Sequence, residues 1–109
     1  MNSQQRVAGR LLEGGDAVVD RASGLLKAIA NDNRLRILCL LEGHELSVTE
    51  LNQRLSLSQS ALSQHLAILR RAELVTTRRS SQTIYYSLNG ESASIMIAAI
   101  VKMNAANDD

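Results

Sequence analysis

Residues 58–64 read Ser58-Gln59-Ser60-Ala61-Leu62-Ser63-Gln64: three hydroxyls and two amides, with no charge among them. Both side-chain types donate and accept hydrogen bonds at short reach. Set on a helix at ~100° per residue, Gln59, Ser60, Ser63 and Gln64 fall on one side with Arg70 and Arg71. Ala61, Leu62, Leu66, Ile68 and Leu69 fall on the other. Two more cations, Arg78 and Arg79, follow a few residues on. A row of short amides and hydroxyls suits the edges of bases, since Gln bonds adenine through two atoms and Ser bonds either a base or a phosphate. Arginines beyond that row suit phosphates, which position a helix without reading sequence. The candidate contacts to double-stranded DNA are therefore Ser58, Gln59, Ser60, Ser63, Gln64, Arg70, Arg71, Arg78 and Arg79. The competing reading is an ordinary solvated face, because Ser, Gln and Arg are common surface residues.

The elements that must carry these residues are legible in the hydrophobic spacing. Residues 1–15 are polar with a Gly14-Gly15 pair and read as a flexible N-terminal arm. Val18, Val19, Ala22, Leu25, Leu26 and Ile29 recur at helical spacing and predict a first helix over 16–30. Asn31 and Asp32 offer caps for a second helix through LRILCLLE, stopping at Gly43. Ser47-Val48-Thr49-Glu50 has the form of a capping box and opens a short third helix. Ser58 caps a fourth, from about Gln59 to Ala72. So short a link between the third and fourth predicts a helix-turn-helix. LVTTRR and TIYYSL then alternate with β-branched and aromatic residues around a polar tip, as in a two-stranded hairpin. A final helix is expected from Ser92 to Met103, and residues 104–109 are read as a flexible tail. The expected fold is mainly α with a small β-hairpin: about five helices and a two-stranded wing in one domain over 16–103.

Composition narrows the classes. The 109 residues include no Phe, Trp or Pro, so the core must come from Leu, Ile, Val and Ala. The net charge of +1 hides a segregation: residues 51–83 hold five arginines against Glu73 alone. A local basic patch is the electrostatic footprint of a nucleic-acid contact. Cys39 is the single cysteine, which excludes a disulfide within the chain and fits a reducing compartment. No secretory leader and no apolar run of membrane-spanning length is visible, so a cytoplasmic location is expected. No phosphate-binding glycine loop, paired carboxylates or metal-ligand cluster appears; an enzyme, a metal site and a cofactor are not expected.

The final helix is apolar nearly all round, with Ile95, Met96, Ile97, Ile100, Val101 and Met103 interrupted only by Lys102. Such a helix needs burial on every side, which a small domain does not supply alone. A homodimer through the first and last helices is the expectation; internal packing with a tolerated apolar stripe is the alternative.

With these elements in place, LLKAIANDNRLRILCLL, ELSVTELNQRLSLSQSALSQHLAILRRAELV and TRRSSQTIYYSL together resemble the ArsR-type winged helix-turn-helix repressors over about residues 20–103. Nearest in pattern are the subgroups of biofilm-growth and haemolysin regulators and of rhizobial nodulation repressors. The resemblance implies a homodimer that binds a palindromic operator, usually as a repressor, and in many members releases DNA on binding a metal or meeting an oxidant. Two metal sites of the family are not matched here. Ser47 and Thr49 stand where one pattern has two cysteines, and the last helix lacks the His of the other.

A dithiol subgroup pairs a cysteine at the position of Cys39 with one near Ala105, where this chain has no thiol. Cys39 then has three readings: a small buried core residue on an apolar helix, a possible redox site acting as a single thiol, or a nucleophile assisted by His44 or His65. The first is the preferred expectation. His65 is read as a packing residue or a partner of nearby backbone. The principal function expected is sequence-specific DNA binding as a repressor, with the helix around 58–72 in the major groove and the 78–83 wing on the flanking minor groove. The alternatives are a redox- or sulfide-responsive repressor using Cys39, and a winged-helix protein-interaction module without DNA. Steep loss of affinity with salt separates DNA binding from the last of these.

Overall fold

The computed structural model describes residues 1–107. Among them the order is α1 (Ser3–Glu13), α2 (Gly15–Ile29), α3 (Asp32–Leu41), β1 (Leu46–Ser47), α4 (Val48–Arg54), α5 (Gln59–Arg71), β2 (Val75–Ser80), β3 (Thr83–Leu88) and α6 (Ser92–Asn107). The strands form one antiparallel sheet in the order β1-β3-β2.

Three elements differ from the sequence expectation. The segment read as an arm contains α1. Its start is a reciprocal cap, with the Asn2 side chain accepting from Gln5 N and the Gln5 side chain accepting from Asn2 N, both at 2.8 Å. The helix ends at Gly14, and Gly15 at φ 77 takes the left-handed conformation that parts α1 from α2. No residue of α1 is buried, so the local cap rather than packing marks it. Secondly, α6 runs on through residues 104–107, which the sequence reading placed in a tail; Asn104 and Ala105 carry no breaker that stops a helix. Asp108 and Asp109 lie outside the described residues. Thirdly, the wing has a third strand: Leu46 and Ser47 pair with Tyr86 and Tyr85 of β3. A two-residue strand has no periodicity of its own, and only its distant partner defines it.

The core is aliphatic, as the composition requires. Ile37, Leu38 and Leu41 of α3 meet Leu51 of α4, Leu62, Leu66 and Leu69 of α5, and Leu74 and Val75 at the start of β2. Burial of each such side chain stabilises by about 1.5–3 kcal/mol. This core holds the inner face of α5 and leaves its outer face free. The α4–α5 turn is tied by Asn52, whose Nδ2 donates to the Leu57 carbonyl at 3.4 Å.

Candidate nucleic-acid interface

Helix α5 splits into two faces along its length. Leu62, Leu66 and Leu69 are buried, while Gln59, Ser60, Ser63, Gln64, Ala67, Arg70 and Arg71 are exposed. No acidic side chain lies within the helix. Ser58 has a different task from its neighbours: its Oγ accepts from Ala61 N at 3.1 Å and caps the helix. The cap satisfies one of the amide groups that the first turn leaves without a partner. Arg70 and Arg71 close the helix at its carboxyl end, where cations interact favourably with the helix dipole. Arg71 also borders an open cavity of about 870 Å³ between α2 and α5, shared with Arg21, Lys27 and Glu73 on an apolar floor.

The capping box on α4 is complete. Ser47 Oγ accepts from Glu50 N, and Glu50 Oε1 accepts from Ser47 N, both at 3.1 Å. Beside it, Val48, Thr49, Asn52, Gln53 and Gln59 line a cleft of about 300 Å³ where α4 meets the start of α5. Thr49, Asn52 and Gln53 thus flank Gln59, which sequence spacing did not suggest; no local signal shows which face of a seven-residue helix turns toward its neighbour.

In the wing the two arginines part company. Arg78 pairs with Tyr85 across the ladder and Arg79 with Ile84, so they stand on opposite faces of the sheet. Arg78, expected with Arg79 as a DNA contact, has a protein partner. Its Nη2 donates to Glu45 Oε1 at 2.6 Å and its Nε lies 3.0 Å from Oε2. Its guanidinium also lies 5.0 Å from the centre of the Tyr85 ring. The hydrogen bonds from Arg78 hold the Glu45 carboxyl below its ordinary value, and Glu45 in turn raises Arg78. Arg79 is exposed, and no ion pair of its own is found among the described residues.

Cys39 corrects its preferred expectation: it is exposed, not buried. Arg36, three residues before it, shares its face of the helix, a local sign of exposure that the apolar neighbours Ile37, Leu38, Leu40 and Leu41 outweighed in the sequence expectation. In the fold, Ile37, Leu38 and Leu41 face the core, and Cys39 lies roughly 150° from the middle of that arc. It borders an open cavity of about 400 Å³ with Leu35, Arg36, Leu40, Arg54 and Leu55. His65 is half-buried, and its Nδ1 lies 3.3 Å from Arg34 Nη1 rather than against nearby backbone. Among the described residues no group of three His, Cys, Asp or Glu is placed to hold a metal ion. No helix there is long and apolar enough to cross a membrane.

Comparison with known proteins agrees with this arrangement. Residues 31–77 match the model of the bacterial regulatory protein, arsR family. The transcriptional activator HlyU of Vibrio cholerae is 54% identical over 83 residues, covering 76% of this chain and 77% of that protein. The biofilm growth-associated repressor of Agrobacterium fabrum is 39% identical over 85 residues, covering 78% of this chain and 73% of that protein. The crystal structure of NolR from Sinorhizobium fredii superimposes with a TM-score of 0.75 at 38% identity, covering 94% of this chain and 93% of that one. With the helix pair, the wing and these relatives in agreement, the chain belongs to the arsR family of bacterial regulatory proteins, a family of transcription regulators rather than enzymes.

Proposed function

We propose that the protein is a homodimeric, sequence-specific DNA-binding repressor that reads a palindromic operator. The observation that carries this reading is the outer face of α5: Gln59, Ser60, Ser63 and Gln64 exposed in one row, free of acidic groups, on a helix fixed from behind by three buried leucines. That row reads base edges in the major groove. Arg70, Arg71 and the wing cation Arg79 hold phosphates or enter the flanking minor groove. Repression follows from occupancy of a promoter.

Two-fold symmetry accounts for the palindrome. The supporting observation is apolar exposure on two helices: Leu26 of α2 at 53%, and Ile95 and Val101 of α6 at 62% and 61%. A dimer through α2 and α6 covers these side chains and sets two α5 helices about one turn of DNA apart. The test is selection of bound sequences from random oligonucleotides. The expected product is an inverted repeat with half-sites ~10 bp apart; absence of any enriched sequence would falsify the reading.

A second reading, control through Cys39, is favoured by the exposure of that thiol. A single thiol forms a sulfenic acid or a mixed disulfide. Operator affinity that is lost under peroxide in the native protein, and retained in Cys39→Ser, supports it; equal responses remove it.

A further inference from the structure

The wing carries a device that the DNA-binding reading leaves unused. Register places Ser47, Tyr85 and Arg78 in one row across the three strands, with Tyr85 in the middle. Glu45 lies just before β1, and its carboxylate meets the Arg78 guanidinium on this face. Arg78 starts on the outer strand β2 and ends on Glu45 beyond the other outer strand, passing over the Tyr85 ring. Adjacent strands lie ~4.8 Å apart, so a side chain of this length is needed to span the sheet. The fork of Nε and Nη2 against both carboxylate oxygens fixes direction as well as distance.

The far end of this strap is not a loose loop. Ser47 is both the last residue of β1 and the N-cap of α4. Glu45 therefore anchors Arg78 to the chain that starts the helix-turn-helix. We propose that Arg78 is a positioning residue: clamped to Glu45 across Tyr85, it sets the wing's angle to α4 and α5, while Arg79 on the opposite face makes the wing's DNA contact. This rests on the DNA-binding reading above. The pair is exposed, at 55% and 37% of the two side chains, so it contributes little to global stability. Its effect is on orientation, because it closes the sheet where β1 offers only two residues of ladder.

The salt dependence of operator binding tests the assignment. A side chain that neutralises a phosphate contributes ~0.9 to the slope of log affinity against log salt. Arg79→Ala should lose about that much slope. Arg78→Ala should weaken binding several-fold with the slope unchanged. Glu45→Ala should weaken it by a similar factor, although deleting a negative charge by itself favours DNA. The double variant should be no worse than either single one, since both remove the same clamp. A slope lowered in Arg78→Ala, or tighter binding by Glu45→Ala, makes Arg78 a DNA contact that Glu45 restrains and overturns the proposal alone. Failure of the unaltered protein to bind any operator overturns the DNA reading and the proposal with it.

Discussion

The guanidinium of Arg34 lies 3.3 Å from Nδ1 of His65 on α5, and the same group donates through Nε to the Ala28 carbonyl at 2.6 Å and through Nη2 to the Lys27 carbonyl at 3.3 Å. Arginine has donors only, so in this contact Nδ1 takes the acceptor's part. The last carbonyls of a helix lack intrahelical partners. Here Leu26 and Ile29 are served by the amides of Ala30 and Asn31, and Lys27 and Ala28 by Arg34. One side chain on α3 thus closes α2 and touches the helix proposed to read DNA.

Arg34→Ala is expected to destabilise the protein by ~1–3 kcal/mol, because two carbonyls lose their donor. His65→Ala should reduce operator affinity more than stability, and His65→Asn, which keeps an acceptor near the position of Nδ1, should restore much of it. Urea unfolding and operator titration on the same variants check this. Equal losses in His65→Ala and His65→Asn would sink the link.

Gln59→Ala and Gln64→Ala are expected to relax base preference at one position of each half-site by ~1–3 kcal/mol. Both side chains are exposed, so stability should change by no more than ~0.5 kcal/mol. Binding to a panel of single-base operator variants measures the effect. Uniform weakening across the panel would make these residues phosphate contacts.

Ser58 is predicted to separate folding from binding. Ser58→Ala removes the α5 cap and should cost ~0.5–2 kcal/mol in stability. Ser58→Asp keeps a capping oxygen but sets a negative charge at the proposed DNA face. Its melting temperature should stay close to that of the parent while its operator affinity falls. Unchanged affinity in Ser58→Asp would place the start of α5 away from DNA.

Ile95→Glu and Leu26→Glu place charges on the exposed apolar residues of α6 and α2. Sedimentation should report a monomer, and half-site binding should replace cooperative binding to the full inverted repeat. A dimer that persists in both variants would move the interface elsewhere.

The acid response of the wing follows from Glu45, whose carboxyl is held below its ordinary value of 4.5 by hydrogen bonds from Arg78. A lowered folded value means that the pair's contribution is complete above 4.5 and is lost as pH falls through the lowered value. The Tyr85 ring resonances should therefore stay constant from neutral pH down to about that ordinary value, and shift only in stronger acid. In Glu45→Gln the acid shift should vanish; its persistence would assign the titration to another group.

Much of this protein is local, and local features are readable in a chain. Ser47 and Glu50 lie three residues apart, and Ser58 and Ala61 likewise, so the starts of α4 and α5 were expected from spacing alone. Leu62, Leu66 and Leu69 repeat with the helix, and their burial leaves Gln59, Ser60, Ser63 and Gln64 outside. The family resemblance rests on the same segments, and the relatives bear it out.

What tertiary structure alone decided lies at long range. Arg34 meets His65 across 31 residues, and Arg78 meets Glu45 across 33. No periodicity encodes either pairing, because each depends on how separately formed elements pack. The strand β1 exists only through β3, and its two residues carry no pattern. Cys39 lies within Ile37–Leu41, five apolar residues that run past a full turn of α3; Arg36 on the same face is a local sign that it points outward, and packing against α4 and α5 buries the opposite face and leaves the thiol outside. Amino-acid order thus determined the helices, their caps and the polar row of α5, through interactions within one turn. Packing determined that Arg78 is clamped, since that depends on a carboxylate brought in from the far edge of the sheet.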